Sequence, residues 1–195
     1  MARIQRALVS CFDKTGVAEF CKGISSLGIE IVSTGGTARS LQQAGVPVTG
    51  ISDVTGFPEM LDGRVKTLHP RIHAGLLARR DKPEHLAQLA EHGIAPISLV
   101  VCNLYPFDDT VAKPGVTEAE AVEMIDIGGP CMIRAAAKNF AAVTVITHRS
   151  QYATVLRELR GNDGDTTLPT RRRLALAAFA HTSAYDAAIV GYLSL

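Results

Sequence analysis

A short stretch between residues 64 and 73 concentrates side chains that could bind anions or transfer protons. Pro58, Gly63, Pro70 and Gly75 interrupt any regular periodicity around it, so the sequence predicts an irregular loop over residues 57–75. Long irregular loops in compact domains are often binding loops or lids. The chemically active side chains of this loop are Arg64, Lys66, Thr67, His69, Arg71 and His73. Taken alone, the composition also suits an ordinary solvated surface loop.

Three polar turns follow predicted strands and could meet that loop. The first is DKTG at 13–16, the second is STGGT at 33–37, and the third is NLYP at 103–106. Ligands of parallel α/β sheets bind outside the carboxyl ends of the strands, so we expect these turns at one edge.

The second turn could form a binding site for an anion. It offers backbone N–H groups, the hydroxyls of Thr34 and Thr37, and the N-terminus of a predicted helix, while Lys14 could add a full positive charge. The turn matches neither GxGxxG nor GxxxxGK[ST], which disfavours dinucleotide and P-loop sites. A Gly-Gly turn before a helix is also a common structural turn, so this signal is weak alone.

Asp126 stands at the end of an apolar helical turn, just before Gly128 and Gly129. A carboxylate buried there would need a partner for its charge. Lys138, which follows an alanine run on the next predicted helix, could supply that charge, and Arg134 lies on the same side of the helix.

Metal ligation is not indicated. His69 and His73 have the i, i+4 spacing of a metal pair, but Pro70 separates them and no HExxH motif or third ligand accompanies them. The four cysteines lack CxxC spacing, and we expect small hydrophobic side chains in a reducing cytosol rather than disulfides or zinc ligands. The sequence therefore predicts no metal site.

Apolar runs alternate with helical periodicity along the chain, which predicts an α/β fold with a mostly parallel central sheet and helices on both faces. The predicted strands are 7–12, 29–33, 46–51, 97–102 and 142–147, with Pro47 placing the third near an edge. Predicted helices follow Asp13, Thr34 and Ser150 and cover 83–92, 130–138 and 174–193, and another begins at Thr117, where Glu120 completes a capping box. The basic run 171–173 is interpreted as a solvated helix start or interface rim.

Composition limits the function classes. The 195 residues fit one domain, and the 20 Lys and Arg nearly balance the 19 Asp and Glu, for a formal charge of +1. The overall charge therefore gives no indication that the protein binds nucleic acid or a membrane surface. We find neither an apolar run of about 18 residues nor a signal-peptide pattern. These features predict a soluble, cytoplasmic protein.

Five ordered motifs together resemble the IMP cyclohydrolase domain of the bifunctional purine-biosynthesis enzyme that also carries AICAR formyltransferase. They are SxxDKTG (10–16), STGGT (33–37), TGFPEMLDGRVKTLHPRIHAG (55–75), CNLYPF (102–107) and IDIGGPxMIRAAAKN (125–139). The similarity extends through RRRLALxAFxHTxAYDAAI (171–189) and so covers nearly the whole chain. It implies a three-layer, methylglyoxal-synthase-like fold with a C-terminal helical segment.

The resemblance also implies a reaction. The carboxamide nitrogen of 5-formamidoimidazole-4-carboxamide ribonucleotide (FAICAR) attacks the formyl carbon, and water leaves to give IMP. Positioned acids, bases and hydrogen-bond donors can meet these demands without a metal or an organic cofactor. By resemblance, the catalytic set is Lys66, Tyr105, Asp126 and Lys138. Asp126 would orient or deprotonate the carboxamide, Lys138 would transfer protons, and Lys66 and Tyr105 would hold the formyl oxygen.

The resemblance implies a larger nucleotide-binding set. Lys14 and the 34–37 turn would hold the phosphate, and the loop at 64–67 with Asn103 would surround the ribose and base. The substrate-binding residues implied are Phe12, Asp13, Lys14, Thr34, Gly35, Gly36, Thr37, Arg64, Val65, Lys66, Thr67, Cys102, Asn103, Asp126, Ile127 and Gly128. The family often has SVSDKTG where this chain has Cys11-Phe12, so a hydroxyl contact from position 12 is lost.

The resemblance further implies a homodimer, with possible fusion to a formyltransferase domain in a longer protein. We expect residues 1–161 to form the cyclohydrolase domain and residues 162–195 a helical extension or linker toward that second domain. The apolar terminal helix could pack on a partner subunit, on the second domain or on its own sheet. No formyltransferase activity is expected from this chain.

Two alternatives share the fold and the phosphate turn. One is a non-catalytic phosphate-sensing module, like the allosteric domain of carbamoyl-phosphate synthetase. The other is methylglyoxal synthase, a lyase that uses a carboxylate base. Neither needs Lys66, Tyr105, Asp126 and Lys138 together, so the CNLYPF and IDIGG–RAAAKN stretches argue against both.

Overall fold

A parallel β-sheet forms the centre of the molecule in the computed structural model, which describes residues 3–194. Within these residues it has five strands: β1 (Arg6–Cys11), β2 (Glu30–Ser33), β3 (Thr49–Gly50), β4 (Leu99–Asn103) and β5 (Thr144–Ile146). The order across the sheet is β3-β2-β1-β4-β5, and all neighbouring pairs are parallel. The chain builds first on one side of β1 and then on the other, so a topological switch point lies between β1 and β4.

The two central strands are almost fully apolar because helices cover both of their faces. Leu8 pairs with Val100 and Cys11 pairs with Asn103, so the two strands end at the same level. The polar residues that follow each strand are therefore brought side by side.

Helices account for most of the remaining chain described. They are α1 (Val17–Ser25), α2 (Gly35–Gln43), α3 (Ile51–Thr55), α4 (Pro70–Leu77), α5 (Pro83–Glu91), α6 (Phe107–Val111), α7 (Glu118–Glu123), α8 (Gly128–Lys138), α9 (Tyr152–Gly161) and α10 (Leu168–Leu193), with short 3₁₀ turns at Leu61–Gly63 and Arg149–Gln151. α1 packs with α2 and α9, whereas α8 packs with α4 and α10. The α/β prediction is confirmed.

Local sequence explains several boundaries. The capping box predicted at α7 is present: the Thr117 hydroxyl accepts the Glu120 N–H, and the Glu120 carboxylate accepts the Thr117 N–H. Gly28 follows α1 with a φ of 76°, a left-handed conformation that glycine adopts without steric penalty.

Three predicted elements differ from the structure. The strand predicted over 46–51 shrinks to Thr49–Gly50 at the sheet edge. The loop predicted over 57–75 ends early because Pro70 takes the first position of α4, where its missing N–H is tolerated. α8 starts at Gly128 rather than Pro130, because a proline in the first turn removes no intrahelical hydrogen bond.

The interpretation of Arg171 as a solvated residue is wrong. α10 begins at Leu168, and this phase turns Arg171 inward while Arg172 and Arg173 stay exposed. The Arg171 guanidinium donates to the Phe140 carbonyl oxygen at 3.1 Å and to the Asp165 carboxylate at 3.1 Å, and it also bonds Thr166. The side chains of Arg171 and Asp165 are only 2% and 14% exposed.

α10 packs on the sheet and on the helices around it, contacting α8, β5 and α6. By length and composition alone it is also the one described helix that could cross a membrane, with a mean hydropathy of 1.2 over its most apolar window. Leu176, Val190 and Leu193 are exposed on it. Such a helix is weak evidence for a membrane span, because the core helix of a soluble protein passes the same test.

Candidate functional site

The loop after β1 is held by the residue that ends β4. The Asn103 side-chain oxygen accepts the N–H groups of Phe12 and Asp13 at 2.7 and 3.0 Å, and its amide nitrogen donates to the Asp13 carbonyl oxygen at 2.8 Å. Phe12 is 46% exposed, and its ring lies edge-on to Tyr105 with centroids 5.5 Å apart. Asn103 therefore fixes the position of the 12–14 loop, and two aromatic rings lie together at this edge of the sheet.

The second polar turn forms the N-terminus of α2 and suits an anion. Among the described residues no side chain caps this helix, so its first N–H groups lack the usual acceptor. Lys14 Nζ and Arg39 Nη2 lie about 4 Å from the point where a Cβ on Gly36 would sit. The turn thus combines orphan donors, a helix dipole and two cations.

The two threonine hydroxyls of this turn, which were expected to contribute to an anion site, already form hydrogen bonds within the fold. Thr34 Oγ1 lies 3.1 Å from Ser10 Oγ, and Thr37 Oγ1 bonds both the backbone N–H and the carbonyl oxygen of Cys11. Both hydroxyls join the turn to β1. Backbone amides are left as the anion donors.

The loop between α3 and α4 brings Lys66 to the same place. Lys66 Nζ lies 3.9 Å from the ideal Cβ position of Gly35, in the turn at the N-terminus of α2. Its carboxylate neighbour is Glu59, at a loose 4.0 Å. Arg64 lies further out and pairs with Glu123 at 3.6 Å. Such long, half-exposed ion pairs contribute little stability and leave both cations accessible to a ligand.

Asp126 sits at the start of α8, and its environment is apolar enough to change its acidity. Burial raises the pKa of Asp126 above its usual 3.8, while the N–H groups of Gly129 and Tyr105 and the charge of Lys66 oppose this rise. Its carboxylate accepts the Gly129 N–H at 2.8 Å. A Cβ on Gly129 would come within 2.5 Å of the same carboxylate, so glycine is required for this approach.

Tyr105 and Asp126 are electrostatically coupled. Burial, and then the negative charge of Asp126, raises the pKa of the Tyr105 phenol. The phenol therefore stays protonated at neutral pH and can donate a hydrogen bond. Lys66, Tyr105 and Asp126, predicted from the sequence as members of one site, are brought together by the ends of three different elements.

Lys138 is not brought to this cluster within one chain. It is exposed at the last position of α8, about 15 Å along the helix axis from Gly128. Lys66, rather than Lys138, supplies the positive charge that acts on Asp126. Lys138 instead lines a groove of about 650 Å³ together with His73, Arg134 and Phe179.

The remaining predicted binding residues have different degrees of exposure. Ile127 is 57% exposed, Thr67 and Cys102 are buried, and Val65 and Gly128 are intermediate. Thr67 Oγ1 lies 2.7 Å from the ideal Cβ position of Gly128, so these two segments touch.

The two histidines of the loop have structural environments. His69 Nδ1 accepts the Arg71 N–H at 3.2 Å and caps α4. Burial lowers the pKa of His73, whose Nε2 has no hydrogen-bond partner among the described residues. Within residues 3–194 no three His, Cys, Asp or Glu side chains cluster in a way that could hold a metal ion.

Sequence reasoning missed two residues of the site. One is Glu59, which pairs with Lys66. Because both residues lie in a loop without a periodic pattern, the sequence could not indicate that they are neighbours. The Tyr185 hydroxyl accepts the Asp126 N–H and donates to the Met124 carbonyl oxygen, both at 2.9 Å. The sequence did offer a signal for Tyr185, because it lies in the AYDAAI segment that is part of the family resemblance. α10 thus holds the backbone that presents Asp126.

Comparisons with known proteins agree with the α/β fold. The MGS-like domain family matches residues 16–131, and the AICARFT/IMPCHase bienzyme family matches residues 136–195. Proteins described as bifunctional purine biosynthesis protein PurH, from Listeria welshimeri and Chloroflexus aurantiacus, are each 61% identical over 191 residues. These matches cover 98% of this chain but only 37% of each relative. A solved structure, "Crystal structure of ForH", is 36% identical with a TM-score of 0.88 and 95% coverage of both chains.

Proposed function

This chain belongs to the MGS-like domain family, and from that premise we propose that it is an IMP cyclohydrolase. It would close the pyrimidine ring of FAICAR to give IMP, the last step of de novo purine biosynthesis. The observation that carries the proposal is the meeting of Lys66, Tyr105 and Asp126 beside an anion-binding helix N-terminus.

The substrate phosphate occupies the N-terminus of α2. The N–H groups of Gly35, Gly36 and Thr37 are the donors, and Lys14 neutralises the charge. Phosphate bound here places the ribose toward the loops that follow β1 and β4. The residues around the ribose and base are Phe12, Asp13, Arg64, Val65, Thr67, Cys102, Asn103, Ile127 and Gly128.

Ring closure needs a proton acceptor for the carboxamide and donors for the formyl oxygen. Burial raises the pKa of Asp126 and so makes its carboxylate more basic than an exposed aspartate, which suits it to orient the amide nitrogen and take its proton. Lys66 and the protonated Tyr105 donate to the formyl oxygen as negative charge develops on it. The new bond joins the amide nitrogen to the formyl carbon and gives a cyclic carbinolamine. Its C–O bond then breaks, and the oxygen leaves as water with one proton from the carboxamide nitrogen and one from the formamide nitrogen, which forms the ring C=N bond.

We further propose that the protein is a cytoplasmic homodimer that needs no metal or organic cofactor. Lys138 stays in the proposed catalytic set by resemblance alone, since α8 holds it away from Asp126 within one chain. We assign no formyltransferase activity to these residues. In longer proteins residues 1–161 form the cyclohydrolase domain, and 162–195 lead toward the second domain.

Purified protein supplied separately with FAICAR and with dihydroxyacetone phosphate tests this function against its two rivals. IMP formation followed by absorbance, with no methylglyoxal from the triose, supports the proposal. Nucleotide binding without turnover would indicate a phosphate-sensing module, and methylglyoxal production would indicate the lyase.

A further inference from the structure

The Tyr185 hydroxyl joins two backbone groups of the segment that carries Asp126. It accepts the Asp126 N–H and donates to the Met124 carbonyl oxygen, both at 2.9 Å. This segment lies between α7 and α8 and has no regular secondary structure. Among the described residues the Asp126 N–H has no backbone acceptor, so its acceptor is a side chain 59 residues further along the chain. Tyr185 therefore provides the partner that a helix or strand would otherwise provide.

The ring of Tyr185 packs against the loop that carries Tyr105. Phe107, which is buried, follows this loop, and its N–H donates to the Tyr105 carbonyl oxygen at 2.9 Å. The rings of Tyr185 and Phe107 meet edge to face with centroids 6.3 Å apart. Tyr192, about two turns further along α10, meets Phe107 edge to face at 5.6 Å. α10 thus supports the Tyr105 loop as well as the segment of Asp126.

The Asp126 carboxylate lies where these two segments meet. It accepts the Gly129 N–H at 2.8 Å and also bonds the Tyr105 N–H. The ideal Cβ position of Gly129 is 2.5 Å from this carboxylate and 2.6 Å from the Leu104 side chain, so the two segments are closely packed around it. A shift of either backbone segment would change the distance between the carboxylate and the Tyr105 phenol.

The hydrogen bonds of Tyr185 suit it to hold the backbone rather than to transfer protons. Its hydroxyl has a single proton, and the Met124 carbonyl oxygen accepts it. The side chain is buried, and its two hydrogen bonds go to backbone groups rather than to the Asp126 carboxylate. Any effect of Tyr185 on the reaction would therefore pass through the placement of Asp126.

We infer that Tyr185 is a positioning residue for ring closure, because it joins α10 to both segments and so sets the distance between the Asp126 carboxylate and the Tyr105 phenol. The inference rests on the proposed cyclohydrolase function for its effect on the rate. The contacts themselves do not depend on that function. It follows that the segment at 162–195, expected to be an extension or linker, provides part of the support of the cyclohydrolase site.

Tyr185→Phe tests the inference, because it keeps the ring on Phe107 and removes only the hydroxyl. With FAICAR, kcat should fall by about 10- to 100-fold, since misplacing a catalytic group by about 1 Å can cost about 10²-fold. Affinity for IMP should stay within about twofold, because the proposed phosphate site at α2 is unchanged. A wild-type rate, an effect confined to KM, or a variant that does not fold would overturn the inference.

Tyr192→Phe is the matched control on the same helix. It also keeps a ring on Phe107, but it removes a hydroxyl that has no hydrogen-bond partner among the described residues. Its kcat should equal that of the wild type. Equal losses in Tyr185→Phe and Tyr192→Phe would show a general defect of α10 and would overturn the inference.

A double variant separates positioning from a structural defect. If Tyr185 acts through Asp126, adding Tyr185→Phe to Asp126→Asn should lower kcat by less than about twofold, because the group that it positions is already lost. A structural defect would lower kcat by the same factor in both backgrounds, which would contradict a positioning role.

A crystal structure of Tyr185→Phe provides a test that needs no activity. The Asp126 carboxylate should lie about 1 Å or more from its wild-type position against the Gly129 N–H, a displacement large enough to affect the rate. An unchanged carboxylate would overturn the inference. Wild-type protein that does not convert FAICAR would instead defeat the cyclohydrolase proposal, and this structure would still decide whether Tyr185 positions Asp126.

Discussion

Two polar clusters at different places in the fold differ in how their cations are buried and paired. In the cluster around Arg171, the guanidinium is almost fully buried and has short contacts to Asp165, Thr166 and the Phe140 carbonyl oxygen. At the carboxyl edge of the sheet, Lys66 and Arg64 have loose carboxylate partners at 4.0 and 3.6 Å.

This contrast distinguishes a cation that stabilises the fold, Arg171, from cations that are available to a ligand, Lys66 and Arg64. A buried cation without protein partners would destabilise the fold, so Arg171 must be satisfied internally. Cations with distant, half-exposed partners contribute little to stability and can exchange them for a ligand. The carboxyl edge is therefore the site that we propose, and the Arg171 cluster joins the start of α10 to the segment before it.

The largest effect on activity is expected from Asp126→Asn. The amide can still accept the Gly129 N–H, so the local structure should persist, but it cannot take a proton. Turnover should fall by roughly 10²–10⁴-fold, as for other general acid–base groups. Steady-state kinetics with FAICAR measures this, with IMP affinity as the folding control; a change confined to KM would show a binding role.

The largest effect on stability is expected from Arg171→Ala. It leaves Asp165 without its cation in a nearly buried position, and breaking such a pair costs about 3–5 kcal/mol. Arg172→Ala, on the next residue of the same helix and exposed, should change stability by less than about 0.5 kcal/mol. Urea unfolding of both variants provides the comparison, and equal effects would contradict the difference drawn between the two clusters.

A smaller effect is expected from Lys14→Ala, because its partner in the site is a phosphate remote from the bond that forms. Loss of one charge-assisted contact should weaken IMP binding by about 1.5–3 kcal/mol, or roughly one to two decades in Kd. Lys22→Ala is the matched control, since Lys22 is an exposed lysine paired with Glu19 on α1. Calorimetry decides the matter: unchanged affinity for IMP would place the phosphate elsewhere.

The smallest effect concerns the stability of Asp126→Asn. Burial raises the pKa of Asp126 in the folded chain, so ionisation at neutral pH opposes folding. The variant removes this penalty and should be more stable than the wild type at pH 7. The gain should vanish as the pH falls through the folded pKa toward 3.8, where the wild type is protonated as well. Thermal unfolding across that range would refute the argument if the variant were less stable at pH 7.

Much of the site was predictable because parallel strands end at a shared edge. The turns after β1, β2 and β4 were assigned to one place from apolar runs and glycines alone, and the capping box at Thr117 fixed one helix start. The resemblance added Lys66, Tyr105 and Asp126 to that edge.

The features that could not be predicted depend on the phase of a helix, the path of a loop and the length of a helix. Three successive arginines look alike in the sequence, and only the start of α10 at Leu168 decides that Arg171 turns inward. The Glu59–Lys66 pair depends on an irregular loop with no periodic signal. The resemblance placed Lys138 with Asp126, but the rise of α8 separates them within one chain.

A crystal structure of the chain with IMP bound tests the central claim most directly. The account predicts the phosphate against the N–H groups of Gly35–Thr37 and Lys14, with the purine ring beside Asp126 and Tyr105. Nucleotide bound in the α8 groove, or anywhere away from the carboxyl edge of the sheet, would contradict it.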